Sequence, residues 1–191
     1  MRISVIANEI NKQVENYLSL YPEEQERLAP LIHQLNENKT DIFSRKSLPG
    51  HITASAIIIK ESNPDYMLMM LHQNLKKWLQ PGGHVDPDER PVESAVRELK
   101  EETGMDGEVD AAVSLIPLDI DIHTIPANPK KGEGTHQHYD FRYIVKVNTE
   151  VILGNIENNK VAWVHIKDID NNGLKILIEK LRQRKEVKIG E

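Results

Sequence analysis

The chain has 191 residues, a formal net charge of −6 and no cysteine, with a sequence pI near 5.8. That length accommodates one domain with a sizeable core plus an appendage. The acidic balance argues against duplex nucleic acid or a membrane surface as partner, since both draw on clustered Lys and Arg, and the lack of cysteine excludes disulfides, thiolate zinc sites and cysteine nucleophiles.

The amino terminus carries only a short apolar stretch, Ile3 to Ala7, before Asn8-Glu9. That is too short for a secretory signal, and no apolar run approaches the ~18 residues of a spanning helix. A cytoplasmic protein is expected. From Val5 to Asn38, apolar residues recur at helical spacing (Ile10, Val14, Tyr17 and Leu18, then Leu28, Leu31, Ile32 and Leu35), which predicts two helices broken at Tyr21-Pro22. Lys39 to Gly50 is connecting chain rich in turn formers and charges. Thr53 to Lys60 and Tyr66 to His72 read as strands joined by the Asn63-Pro64-Asp65 turn, and together they suggest a hairpin.

Lys77 to Gln80 is a short extended run ending in Pro81-Gly82-Gly83, where the glycines allow carbonyls to approach a metal closely. Pro91 suits the first turn of a helix and Gly104 the position just past its end, so Val92 to Thr103 reads as a capped helix. At about 100° per residue, Val92, Ala95, Val96 and Leu99 form an apolar stripe, with Glu98, Glu101 and Glu102 in an arc beside it. Like charges at this spacing cost roughly 0.2–0.5 kcal/mol per pair. A solvated acidic face is the ordinary reading of such a cluster. A hard cation is the alternative: carboxylate oxygens, with a backbone carbonyl from Gly82-Gly83, suit Mg²⁺ or Mn²⁺ that also grips substrate phosphates.

Val109 to Ile125 and His136 to Val147 read as strands around a loop of Pro126 to Thr135. Asp119, Asp121 and His123 alternate with apolar residues and so face one way, and His136, His138 and Asp140 do the same. If the strands pair, six ionisable groups share one sheet face. Three imidazoles beside three carboxylates favour a binding role over a merely solvated face. They could recognise phosphates, hydrogen-bond a sugar or base, or hold an accessory metal. His51, His72 and His84, taken singly, suit structural hydrogen bonds, but the place of His84 directly after Gly83 adds it to the candidate substrate-binding set. Val161 to Ile166 forms a further strand, and Leu174 to Arg184 a closing helix with a stripe of Leu174, Leu177, Ile178 and Leu181. Trp78 and Trp163 could stack on a base, though core packing is the commoner use.

The run Gly83, five residues, Glu89, seven residues, Arg97-Glu98-Leu99-Lys100-Glu101-Glu102-Thr103-Gly104-Met105 resembles the signature of the Nudix hydrolases, with every specified position filled. The runs Gly50 to Ser55, Pro81 to His84 and His136 to Asp140 resemble features of a bacterial Nudix subgroup with a helical amino-terminal extension. The resemblance implies an α/β/α sandwich with a mixed sheet, residues 46–191 being the Nudix hydrolase domain and 1–45 a helical extension. Such an extension could cover a pocket mouth or join two copies as a homodimer.

The activity implied is hydrolysis of a pyrophosphate bond in a nucleoside diphosphate derivative, a small-molecule partner, by metal-activated water. By position, Glu98 and Glu102 resemble principal metal ligands, Glu101 an additional ligand or the proton acceptor, the Gly82 carbonyl a backbone ligand, and Arg97 the residue that orients the glutamates. Glu89 is supportive. Glu157 stands where some Nudix enzymes place another glutamate. The isopentenyl diphosphate isomerases of this fold use a cysteine, which this chain lacks. Many ADP-ribose enzymes carry a proline where Asp121 stands here. A different class, a Nudix-fold module that senses a nucleotide without cleaving it, has no need of the intact glutamate cluster.

Overall fold

Tyr21-Pro22 breaks the amino-terminal helical pattern as its sequence requires: α1 spans Arg2–Leu20, a single 3₁₀ turn follows over Pro22–Glu24, and α2 spans Gln25–Glu37. The structure, a computed structural model, describes residues 2–37, 41–72, 75–109, 116–129, 132–152 and 160–189. The remaining elements are β1 (Gly50–Ile57), β2 (Tyr66–His72), β3 (Lys77–Leu79), β4 (Gly82–His84), α3 (Pro91–Thr103), β5 (Gly107–Glu108), β6 (Asp119–Ile125), β7 (His136–Ile144), β8 (Lys146–Val147), β9 (Lys160–His165) and α4 (Asn172–Ile189).

A mixed sheet of order β4-β1-β7-β6 positions the site, with β3-β2-β9 as a second sheet and β5-β8 as a small ribbon. β1 runs parallel to β7 and antiparallel to β4, and β6 and β7 form the expected antiparallel pair. The hairpin expected of Thr53–Lys60 and Tyr66–His72 forms only at its turn end, residues 58–60 against 66–68, and does not extend along β1. β1 has β4 and β7 on its two edges, so no edge is open to β2. The chain leaves β1 and meets β2 only through the Ile59–Met67 bridge and flanking hydrogen bonds such as Leu68 N–H to the Ile58 carbonyl at 2.9 Å. The unbroken apolar run Ala56 to Ile59 has no alternation to mark this change of sheet. The long strand expected over Val109–Ile125 is also shorter, its described part beginning at Asp119, while residues 110–115 lie outside the described residues.

The core has two parts. Ile10, Val14 and Tyr17 of α1 and Leu28 and Leu31 of α2 pack with Leu99 of α3 and with Ala54, Tyr139 and Phe141 of the mixed sheet. Ile57, Met67, Met69 and Leu118 pack under Leu174, Leu177 and Ile178 of α4. Helices therefore cover the sheet layer from both sides, as an α/β/α sandwich does.

Polar locks accompany this packing. Gln34 of α2 donates to the Gly50 carbonyl at 2.8 Å and accepts from the Tyr139 hydroxyl at 2.9 Å, and the Tyr143 hydroxyl donates to Gln13 of α1. Buried polar groups are tolerated when partnered in this way. No described helix is long and apolar enough to cross a membrane.

Candidate active site

α3 is held at both ends. Arg90 N–H donates to the Glu93 carboxylate at 3.0 Å, and Gly104 takes φ 72°, from which its N–H caps the Lys100 carbonyl at 2.8 Å. Only glycine adopts that angle without strain. With Ala95 and Leu99 fully buried, the neighbouring arc turns its glutamates toward β4. A side chain at Gly83 would place its Cβ 2.4 Å from a Glu98 carboxylate oxygen, so glycine is what lets this carboxylate lie against the strand. Gly82 N–H donates to Glu102 at 2.9 Å.

Arg97 gathers the rest. It donates to Glu98 at 2.9 Å, Glu101 at 3.1 Å, Glu89 at 3.0 Å and the His84 carbonyl at 3.0 Å. Glu89 also accepts from the buried Ser94 hydroxyl, so the supportive place expected for it is a fixed one. Burial works against the Arg97 charge, but Glu89 and Glu98 more than offset it and raise its pKa. Burial raises the Glu98 carboxyl above its usual range; Arg97 opposes this, and Glu101 and Glu89 add to it. Three glutamates thus share one guanidinium, and Glu102 lies beside them on the Gly82 N–H. An all-oxygen donor set with excess negative charge is the chemistry that Mg²⁺ or Mn²⁺ requires, so these residues fit such an ion.

The polar face of the sheet divides in two. Pairing sets Asp119 opposite Arg142, Asp121 opposite Asp140 and His123 opposite His138, while β1 adds His51 beside His138, Thr53 beside Asp140 and Ser55 beside Arg142. At one end Arg142 donates to Asp140 at 2.9 Å, Asp119 at 3.1 Å and Asp121 at 2.9 Å. Asp140 also accepts from Ser55 at 2.8 Å, and Asp119 from the buried Lys180 of α4 at 2.5 Å and from Tyr17 at 3.2 Å. Burial disfavours the Arg142 charge, but the three aspartates hold its pKa up. Burial alone would raise Asp121; the His123 hydrogen bond and the Arg142 charge instead lower it to about 2.

Asp119 and Asp140 are each under 4% exposed, and their oxygens are occupied by these partners. Arg142 and Lys180 were not among the residues expected from sequence. Arg142 could have been found, because it continues the alternation of His136, His138 and Asp140; nothing local marks Lys180.

At the other end lie histidines. His51 packs its ring against His84, His136 and His138 at centroid distances of 5.0, 4.9 and 4.7 Å, and His123 lies 5.4 Å from His138. His51 is 1% exposed, and neither ring nitrogen has a hydrogen-bond partner among the described residues. The structural hydrogen bond expected of it is therefore missing. Burial, with the nearby His136, lowers its pKa to about 4, and burial with the surrounding imidazoles lowers His138 to about 2. Nδ1 of His136 meets the Gly134 carbonyl at 2.7 Å, and Nδ1 of His123 meets Asp121 at 2.9 Å.

His72 stands apart and accepts from Leu75 N–H at 3.2 Å, a structural hydrogen bond. Trp163 donates to the Glu150 carbonyl at 3.0 Å, and Trp78 is 36% exposed on β3. Glu157 lies outside the described residues.

Residues 49–185 match the family model of the NUDIX domain. A probable DHNTP pyrophosphohydrolase of Lactococcus lactis is 33% identical over 125 residues, which is 65% of this chain and 71% of that protein. The mouse asymmetrical bis(5'-nucleosyl)-tetraphosphatase is 40% identical over 65 residues, or 34% of this chain and 39% of the mouse protein. Among solved structures, a UDP-X diphosphatase superposes with a TM-score of 0.53 at 15% identity, covering 95% of this chain and 92% of its own. A possible asymmetric diadenosine tetraphosphate hydrolase of Jonesia denitrificans does so at 0.52 and 16%, covering 71% and 94%. At such identities the superpositions speak for the fold alone.

Proposed function

This chain belongs to the Nudix hydrolase family, and we propose that it hydrolyses a pyrophosphate bond in a nucleoside diphosphate derivative with Mg²⁺ or Mn²⁺ bound at the glutamate edge. The observation that carries this reading is the seating of Glu98 against Gly83 and of Glu102 on Gly82 N–H, both steered by α3 and, for Glu98, by Arg97. Glu98, Glu102 and the Gly82 carbonyl would hold the ion, with Glu101 as an additional ligand. When bound, it supplies neutralisation of phosphate charge and Lewis acidity toward water.

The chain's own groups do the positioning. Arg97 keeps Glu98 and Glu101 in place through one guanidinium fork. Glu101, 53% exposed at its side chain, accepts the proton of the attacking water. The raised pKa of Glu98 makes it the second choice for that role. Substrate is placed by the histidine end of the sheet face, His84, His123, His136 and His138, with the part-exposed Asp121 beside His123. The Asp119 and Asp140 expected to join them are buried and spent on Arg142, Lys180 and Ser55, so they hold the sheet and do not meet substrate. Positioning and electrostatics of this kind dominate phosphoryl transfer.

The names of the relatives support the same bond class, since pyrophosphohydrolase and tetraphosphatase activities both break phosphoanhydrides. A panel of nucleoside diphosphate derivatives with Mg²⁺ or Mn²⁺, followed by phosphatase-coupled phosphate release, tests the reading. Release from at least one member, abolished by chelation, is expected. Silence across the panel with both ions would overturn it.

A further inference from the structure

The histidine end of the sheet has features that the glutamate chemistry does not use. Leaving a buried polar group without a partner costs about 1–3 kcal/mol, and His51 has two such nitrogens on one ring. Its neighbours are other imidazoles. Nitrogen atoms of His51, His84 and His138 all lie within 4.8 Å of one another.

Their placement is set by strand register and not by loops. His51 pairs directly with His138 across β1 and β7, and His84 pairs with Thr53, two residues along β1 on the same face. Three adjacent strands therefore each contribute one imidazole to one spot.

We propose that His51, His84 and His138 form a tri-histidine site for a divalent transition cation of the zinc class, separate from the glutamate edge. The donor chemistry selects the ion. Imidazole nitrogens suit Zn²⁺, Co²⁺ or Ni²⁺, whereas Mg²⁺ calls for oxygen, and this set contains no carboxylate. Zn–N bonds of about 2.0–2.1 Å require the nitrogens to draw together from their present spacing. Rotation of the half-buried His84 and His138 rings about their side-chain bonds allows that, while His51 stays fixed in the sheet.

Three protein ligands leave one tetrahedral position open to water or an anionic group. The flanking rings that confine the site are themselves fixed, His136 by the Gly134 carbonyl and His123 by Asp121. His84 and Gly83 are successive residues of β4, so their side-chain directions are opposite. Gly83 faces Glu98. The two sites thus lie on opposite sides of one strand, with different preferences for metal.

The test uses the full chain, stripped with a chelator, and Co²⁺ as a coloured probe. In an E98Q/E102Q background, which disables the glutamate edge, one equivalent of Co²⁺ should still bind with visible d–d absorption. Zn²⁺ should displace it and excess Mg²⁺ should not. H84A and H138A in that background should weaken binding by more than about 10-fold, since even outer-shell changes cost 10–100-fold. H72A should leave it unchanged. H84Q and H138Q replace the alanine variants if circular dichroism shows the latter misfolded.

Crystals soaked in Zn²⁺ should give an anomalous peak among the three rings. The proposal is overturned if the E98Q/E102Q protein takes up no Co²⁺, if H84A and H138A bind as their parent does, or if an ordered water without anomalous signal fills the spot. None of these outcomes bears on hydrolysis at the glutamate edge, so failure here is distinguishable from failure there.

Discussion

Two arginines in this molecule each sit among three carboxylates, and their surroundings lead to different outcomes. Arg142 pairs with Asp119, Asp121 and Asp140 inside the sandwich, its side chain only 4% exposed, and further donors occupy the remaining oxygens of Asp119 and Asp140. Arg97 pairs with Glu89, Glu98 and Glu101 on a helix edge, 29% exposed, with Glu102 close by on a backbone N–H. The first group is closed and nearly self-sufficient. The second keeps carboxylate oxygens in excess of its one guanidinium. Acidic residues around an arginine do not by themselves make an active site; what distinguishes one is negative charge left over for a cation.

The comparison breaks most visibly at Glu102. Glu102→Gln should leave far-UV circular dichroism and Tm unchanged and lower turnover by orders of magnitude, because it removes one of the charges that would organise a metal. Near-normal turnover at saturating Mg²⁺ would mean that the leftover charge has no catalytic use. On the closed side, Arg142→Leu strands three carboxylates and should cost about 3–5 kcal/mol of stability, read as a fall in the urea midpoint. A change below about 1 kcal/mol would show that the buried network is not what holds the sheet to α4.

The open group was legible in sequence because it is local: Gly83 to Met105 spans one turn and one helix, and Pro91 and Gly104 mark that helix's ends. The facing of Asp119, Asp121, His123, His136, His138 and Asp140 was legible too, since period-two alternation survives into the hairpin. What could not be read was sheet order. The parallel pairing of β1 with β7 joins His51 to His138 across the length of the domain, and no local pattern carries that information. Considered one at a time, His51 and His84 therefore suited structural hydrogen bonds; with β1 set between β4 and β7 they become part of an imidazole cluster. That the expected hairpin stops at its turn end has the same origin, because a turn between two strands does not reveal that another strand already holds the edge of β1.

Arg97 sharpens the contrast with Arg142. Arg97→Lys keeps a positive charge but loses the fork that reaches Glu89, Glu98, Glu101 and the His84 carbonyl together. Stability should change by less than about 1 kcal/mol, as for other partly exposed pairs. Turnover should fall roughly 10- to 100-fold, with a higher Mg²⁺ requirement, as when the groups orienting a metal ligand are altered. If Arg97→Lys instead lowered Tm as Arg142→Leu does, without affecting metal dependence, the two arginines would be structurally equivalent.

The smallest effect concerns pH and the histidine end, where Asp121 meets His123 but His51 has no hydrogen-bonded counter-charge among the described residues. In metal-free protein, His51 and His138 are held neutral in the native state, with pKa values of about 4 and about 2, whereas in the unfolded chain they titrate near 6.5. Below about pH 6.5 the unfolded state therefore binds protons that the native state refuses, and stability must fall as pH falls. Each histidine contributes at most about 1.4 kcal/mol per pH unit, and less near pH 6.5, where protonation of the unfolded chain is only half complete. Urea midpoints from pH 7 to 5 in the presence of chelator should decline, and His138→Ala should reduce the slope by up to that amount while leaving the contribution of His51. A slope unaffected by His138→Ala would mean that this ring is protonated equally in both states, and that it is better solvated than its place beside His51 implies.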